Sequence, residues 1–425
     1  MAIIQAFKAL RPQPALASRV ASRPYDVLNS EEARAEASGN PHSFYHVSKS
    51  EIDLAADIDT HSEAVYRKAE ENLRQFISQG VLQQEEKPCY YIYRLVMPAR
   101  LAGRQDGEDI SQTGLVCVSA VADYENGIIK KHEFTRPDKE QDRINHILTS
   151  GAQTGNVFLA YNDVYEINDI IDHWKKEQAP VYDFIADDGI GHTVWIVDDE
   201  ATIGHITQLF AEKVPCTYIA DGHHRAASAA LVKKQLEQQE ALSADHPARY
   251  FLTTIFPASE LSIMDYNRLV KDLNGLSREE LLSNLEYDFE VTETGATPVK
   301  PAMLHEFGMY LDGSWYRLVA EEGTYTTDPI GVLDVTILQN NVLGKHLGIR
   351  DQRTDKRIDF VGGIRGLNEL KKRVDSGEMK VAFTLYPVTI QQLFDIADSG
   401  EVMPPKSTWF EPKLRDGLLT HLIRS

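Results

Sequence analysis

Between Tyr218 and Ala230 the chain reads Tyr-Ile-Ala-Asp-Gly-His-His-Arg and then Ala-Ala-Ser-Ala-Ala. The apolar run Cys216 to Ala220 predicts a strand, and the alanine-rich run predicts a helix. Asp221, Gly222, His223, His224 and Arg225 then fall on the turn between the two. The first N–H groups of a helix have no partner inside it and carry about half a positive charge. Two imidazoles and a guanidinium on that turn make a site for an anion, phosphate above all. Gly222 lets the backbone approach the ligand closely. The small side chains from Ala226 to Ala230 let the helix lie tight on a sheet. Asp221 is placed to orient a histidine or to help hold Mg²⁺.

A second cluster runs from Lys130 to Arg143, behind a short strand at Gly127 to Ile129. Glu133 beside His132 has the chemistry of a general base, with Lys130, Lys131 and Arg136 to hold an anionic co-substrate. Glu140 and Arg143 are spaced to form a surface ion pair if the segment is helical. The third cluster is Met403 to Leu419, where three prolines fix an extended or turned loop. Its Lys406, Ser407 and Thr408 suit a phosphate or a carboxylate, with Trp409 and Phe410 as anchors. This run is expected to fold back near the Asp-Gly-His-His-Arg turn. A fourth set, Tyr182-Asp183 with Asp187, Asp188 and His192, is a candidate for a divalent ion. Gly362-Gly363-Ile364-Arg365-Gly366 lacks the spacing of a dinucleotide loop, and no Walker loop, kinase signature, serine elbow or zinc helix occurs.

Several elements must position these groups. Asn29 with Glu32 reads as a capping box. An amphipathic helix from Ser62 to Gln79 carries Val65, Ala69, Leu73, Phe76 and Ile77 on one stripe, stopped by Gly80. Cys89 to Met97, Gly114 to Val121, Val157 to Tyr161, Thr193 to Val197 and Tyr250 to Phe256 read as strands. Gly103 to Thr113 reads as a loop or hairpin tip, and Asn126-Gly127 as a tight turn. A helix is expected from Ala201 to Lys213. The stretch Ala241 to Pro247 is the best internal boundary. Beyond it, Ser277 with Glu280 caps a helix and Asp312-Gly313 marks a hairpin. Strands near Arg357 to Val361 and Lys380 to Leu385 alternate with helices near Leu333 to Leu347, Leu367 to Val374 and Ile390 to Ala397. The pattern is α+β (mixed α/β). It divides into a catalytic region, 1–245, and a C-terminal α/β region, 246–425, whose tail returns to the active site.

The chain has 425 residues, 42% of them hydrophobic, enough for a normal core in two or three domains. Its net charge of −20 argues against nucleic acid as a partner. No apolar run approaches a membrane span and no signal peptide opens the chain, so a cytoplasmic location is expected. Cys89, Cys117 and Cys216 lie in apolar segments and read as reduced core thiols. The expected partner is a small-molecule substrate, and a homo-oligomer is compatible with this composition.

The stretches Phe-Lys-Ala-Leu-Arg-Pro (from Phe7), Arg-Pro-Tyr-Asp-Val-Leu (from Arg23), Lys130 to Arg143, Tyr218 to Ala229 and Met403 to Leu418 together resemble a widespread bacterial family, domain of unknown function ten-fifteen. The Asp-Gly-His-His-Arg turn also resembles the phosphate-binding turn of free L-serine kinases built on the ParB/sulfiredoxin-like fold. Those enzymes convert free L-serine to O-phosphoserine, with a glutamate as base on the serine hydroxyl. The resemblance implies a ParB/sulfiredoxin-like catalytic core with long insertions. It implies Asp221, Gly222, His223, His224 and Arg225 as the phosphate turn and Glu133 as the base. It further implies Mg²⁺ and a phosphoryl donor that is ATP, ADP or pyrophosphate. Two other classes stay open: a metal-dependent hydrolase using His192, His223 and His224, and a non-catalytic nucleotide-binding regulator.

Overall fold

A computed structural model describes residues 1–101 and 107–424. Part of the Gly103 to Thr113 stretch therefore lies outside the described residues. The chain is mixed α+β and divides into two units. The first comprises Met1–Met97, Asp109–Leu261 and the segment from Pro412 onward; the second is mainly Ser262–Glu411.

The first unit is built on strands β1 (Ile4–Gln5), β2 (Tyr90–Met97), β3 (Ile110–Ala120), β4 (Ile129–Lys130), β5 (Val157–Tyr161), β6 (Tyr182–Ile185), β7 (Gly191–Val197), β8 (Thr217–Asp221) and β9 (Tyr250–Pro257). They form one sheet in the order β4-β8-β5-β9-β3-β2-β7-β6, with β1 also on β3. The pairs β4–β8 and β5–β9 are parallel, and the other neighbours are antiparallel. β9 lies between β5 and β3, so the boundary falls at 261 rather than at 245. A strand with neighbours on both sides cannot be cut from its sheet.

Five helices matter for the site: α1 (Glu63–Ser78), α2 (Pro137–Ser150), α3 (Tyr165–Glu177), α4 (Glu200–Lys213) and α5 (His223–Gln239). Ile167 and Ile171 of α3, Ile206, Leu209 and Phe210 of α4, and Ala226 and Ala229 of α5 share a core with Ile92, Leu159 and Ile219 of the sheet. On α1 the buried stripe is Val65, Ala69, Leu73 and Phe76, while Ile77 stays exposed one residue past the core-facing line. The Asn29–Glu32 capping box is present with both reciprocal bonds at 2.9 Å. Gly127, with φ 73°, ends the short helix Val121–Glu125 and does not turn a hairpin. Cys89 and Cys117 are buried thiols, Cys216 is half-buried, and none forms a disulfide.

The second unit has β10 (Tyr266–Val270), β11 (Phe289–Gly295), β12 (Glu306–Leu311), β13 (Ser314–Ala320), β14 (Ile358–Gly362) and β15 (Val381–Leu385). Their order is β11-β13-β12-β15-β10-β14, antiparallel throughout. This is an antiparallel α+β layer, a strand direction set by pairing that a linear reading does not contain. Asp312 (φ 48°) and Gly313 (φ 86°) make the expected hairpin between β12 and β13.

The C-terminal segment belongs to the first unit. Asp416 exchanges both backbone hydrogen bonds with Ser22, at 2.8 and 3.1 Å. Thr420 bridges to Leu10, and His421–Leu422 pairs with Ala152–Gln153. Gly417, at φ 87°, lies where a Cβ would come within 2.5 Å of the Phe44 ring. Gly417→Ala combines a left-handed backbone with overpacking. It is expected to destabilise the first unit by about 2–4 kcal/mol, read as a lower denaturation midpoint with unchanged slope.

Candidate active site

The Asp-Gly-His-His-Arg turn is held by β8, which has β4 on one side and β5 on the other. A bulge at Ala220 shifts the register with β5, so that Asp221 pairs with Phe158. Bulges of this kind re-aim a strand's last side chain. Gly222 takes φ 97°, closed to most side chains. A Cβ there would lie 3.2 Å from the Arg225 guanidinium and 3.4 Å from the Val157 backbone. The Arg225 guanidinium, three positions on, lies against the place where a side chain at Gly222 would begin. Helix α5 then begins at His223 with no side chain capping it.

His223 is buried, and its ring meets that of His132 edge to face at 4.6 Å. Burial first, and then the neighbouring His132, push His223 well below the ordinary histidine range. Burial lowers His132 to about 4. Both rings are therefore neutral near pH 7. Glu133, half exposed, brings Oε2 within 3.5 Å of His223 Nδ1. His224 Nε2 accepts the Arg136 backbone N–H at 3.0 Å, which fastens the Lys131–Arg136 loop to α5.

Arg225 has a nine-tenths buried side chain. It donates to the Asn156 carbonyl and lies 3.5 Å from Asp26 and 3.7 Å from Asp221. Burial alone would push its pKa down, but Asp26 and Asp221 raise it. Asp221 in turn accepts from Lys413 Nζ at 3.1 Å. Burial pushes the Asp221 carboxyl up, and Lys413 with Arg225 overrides this and holds it below the usual carboxylate range. Asp416 is buried against the same arginine, and burial raises its carboxyl to about 7. A cavity of about 20 Å³, enough for one water, lies among Tyr25, Arg143, His146, Thr154 and Arg225.

Asp221, Gly222, His223, His224, Arg225, His132, Glu133 and Arg136 thus come together in the first unit. Lys130 ends β4, beside β8. Lys131 sits 3.8 Å over the Tyr124 ring, and Arg136 is exposed and paired with Asp138 at 2.8 Å. Lys406, Ser407 and Thr408 belong to the second unit. There the Ser407 hydroxyl donates to the Pro404 carbonyl at 2.6 Å, Lys406 takes φ 58°, and Arg268 donates to the Lys406 carbonyl at 3.0 Å.

Three expectations are corrected. Arg143 makes no surface pair with Glu140; it is buried, binds Asp142 through two nitrogens at 2.7 and 2.9 Å, and lies 3.9 Å over the Tyr25 ring. The face of α2 that carries it is turned inward. The Asp188–His192 set is no divalent-ion site. Arg415 donates to Asp188 and, at 3.1 Å, to His192, whose other nitrogen meets the Tyr93 hydroxyl at 2.8 Å. Asp221 is a single carboxylate already facing two cations. Among the described residues no group of three or more His, Cys, Asp or Glu side chains could hold a metal. The residues present therefore do not build an Mg²⁺ site of their own.

Four residues of the network carry no motif-level signal: Asp26, Asn156, Lys413 and Asp416. Asp26, Lys413 and Asp416 lie inside the stretches that carry the family resemblance, which was the one available pointer.

The chain matches the family described as Protein of unknown function (DUF1015) over residues 4–336, and it belongs to that family. No curated protein matches it in sequence. Among solved structures it is similar to a free serine kinase mutant in complex with AMP, at 13% identity and a TM-score of 0.36, covering 72% of this chain and 92% of the other. A conserved hypothetical protein from Pyrococcus furiosus is similar at 15% identity and a TM-score of 0.33, covering 72% and 94%. SbnI with a C-terminal truncation from Staphylococcus aureus is similar at 10% identity and a TM-score of 0.36, covering 71% and 85%. Among the described residues no helix is long and apolar enough to cross a membrane.

The neutral histidines set a pH dependence. His132 titrates near 6.5 when unfolded and near 4 when folded, so the unfolded chain takes up the proton first as pH falls. The stability is present above about 6.5 and is lost on the way down to about 4. Asp416 acts in the opposite sense, since its raised carboxyl favours the folded state as pH drops. Comparing His132→Gln with the parent protein cancels that term. The variant is expected to lose about 2 kcal/mol less than the parent between pH 7 and pH 5, measured by urea unfolding at each pH.

Proposed function

We propose that this chain is a phosphotransferase that moves a phosphoryl group from ATP, ADP or pyrophosphate to a small-molecule hydroxyl, with free L-serine as the acceptor. One observation carries the reading. A half-exposed carboxylate, Glu133, stands within 3.5 Å of His223 at the start of a helix that no side chain caps. A base and an anion-binding helix end are thus in the same place.

In this reading the donor phosphates meet the first N–H groups of α5, with Lys130 and Lys131 adding positive charge. Glu133 takes the proton of the acceptor hydroxyl as its oxygen bonds to phosphorus and the bond to the leaving phosphate breaks. His223, through Nδ1, keeps Glu133 in place, and His132 packs behind it. His224 holds the loop that carries Glu133. Arg225, committed to Asn156, Asp26 and Asp221, is a positioning residue for the turn. Mg²⁺ would enter with the donor's phosphates, and no step is assigned to it. The hydrolase alternative would need His192, His223 and His224 on one ion. Instead His223 meets His132, His224 accepts from Arg136, and His192 lies between Tyr93 and Arg415.

The test is ³¹P NMR of the protein with L-serine, Mg²⁺ and each donor in turn, with O-phosphoserine as the expected product. Glu133→Gln keeps the shape and removes the base. It is expected to lower turnover ~10²-fold or more while donor affinity stays within about twofold. No O-phosphoserine with any donor overturns the reading, and full turnover in the Gln variant removes Glu133 from it.

A further inference from the structure

Asp416 is 2% exposed, and its Oδ2 has no hydrogen-bond partner. It sits in the irregular stretch from Pro412 to Leu419, where its own N–H and carbonyl pair with Ser22. Past this stretch the chain is fastened again, by Thr420 to Leu10 and by His421–Leu422 to Ala152–Gln153. Before Asp416, Lys413 lies 3.1 Å from Asp221. A buried carboxyl thus stands in the span that leads to the Asp-Gly-His-His-Arg turn, and the whole span belongs to the first unit.

The charges that act on Asp416 come from Arg225 of α5, Arg143 of α2 and Asp26 of the N-terminal segment. Both cations are committed. Arg225 serves Asp26, Asp221 and the Asn156 carbonyl, and Arg143 gives two nitrogens to Asp142. Asp26 adds a second negative charge. Gly155 lies against Oδ1 and lines a small cavity with Tyr25, His146, Arg143 and Arg225. Burial keeps Tyr25 and His146 neutral near pH 7. On the segment itself Arg415 is bound to Asp188 and His192, and burial keeps His421 neutral. A negative charge on Asp416 would be buried without a cation of its own, which costs far more than a neutral carboxyl in the same place. Burial raises this carboxyl to about 7, against the pull of Arg225.

We propose that Pro412 to Leu418 is a strap that closes on the first unit with a neutral Asp416 and opens when that carboxyl gives its proton to water. Opening takes Lys413 away from Asp221, so acidity tightens the hold of the C-terminal segment on the turn. The sign follows from the two states. In the open strap the carboxyl titrates near the ordinary 3.8, and in the closed strap near 7. Closure is fully favoured below about 4, weakens as pH rises towards 7, and changes little above that. The proposal is independent of the reaction that the turn serves.

The experiment is amide hydrogen exchange of the full-length protein, read by mass spectrometry between about pH 5 and pH 8.5, with Asp416→Asn as the comparison. The amide keeps the shape of the neutral acid and cannot ionise. The quantity read is the protection of peptides spanning Leu414 to Leu418 in the parent, divided by that in the variant at the same pH. This ratio is expected to fall about tenfold or more from pH 5 to pH 7, and by less than about twofold from pH 7.5 to pH 8.5. Taking the ratio cancels the intrinsic exchange rate and the opposite titration of His421. Peptides from β5 are expected to show no such fall. An equal fall in β5 means that Asp416 acts on global unfolding alone, and it overturns the strap. A ratio that does not change with pH overturns it as well. If Asp416→Asn does not fold, judged by circular dichroism, Asp416→Ser takes its place. Failure of both to fold also overturns the proposal, because a carboxyl that is neutral in the closed strap tolerates a neutral substitute.

Discussion

A guanidinium taken out of water must be answered by anions or carbonyls, and in the first unit that guanidinium is Arg225. Its partners come from distant parts of the chain: Asp26 near the N-terminus, the Asn156 carbonyl before β5, and Asp221 at the end of β8, with Asp416 buried nearby. Each of these segments has to arrive for the charge to be buried at tolerable cost. Gly222 is a glycine for the same reason, since the guanidinium occupies the place of its side chain. The ion network thus pins the turn, and the turn pins the start of α5.

Two consequences reach the chemistry. The first is that the histidines at the turn act as neutral groups. His132 and His223 are packed ring against ring in a dry place, where a proton on either would sit beside the other and beside Lys131. In the proposed reading, positive charge for an anion comes from the helix end and the lysines, and the His223 N–H holds Glu133. The second is that acid strength is divided by environment. Asp221, facing Lys413 and Arg225, stays ionised, while burial raises Asp416, nearby, to about 7.

The second unit handles the same physical problem differently. Arg268 is fully buried and donates to the backbone carbonyls of Tyr266, Pro405 and Lys406, with the Phe360 ring 5.3 Å away. Burial lowers its pKa to about 10, the reverse of Arg225, because carbonyl dipoles replace carboxylates around it. Such an arginine shapes a loop. It gives Pro404 to Ser407 a defined path, in which Lys406 holds a left-handed backbone.

The sequence by itself determined the local elements. The Asn29 and Ser277 capping boxes, the α1 stripe, the Asp312-Gly313 hairpin and the strand–turn–helix at Tyr218 to Ala230 were all legible, because periodicity and caps act over a few residues. The nearness of Glu133 to the turn followed from motif resemblance, not from spacing. Only the tertiary structure decided which charges meet. Arg143 was legible as helical yet not as buried, since the face that α2 turns inward depends on its packing against α1 and α5. Lys413 was one lysine in a proline-rich run, and Asp188 one acid in a loop. Neither names its partner, because ion pairs across hundreds of residues are set by the path of the chain through the sheet. Strand direction in the second unit and the place of β9 within the first sheet were hidden for the same reason. Pairing is a relation between segments, and no single segment carries it.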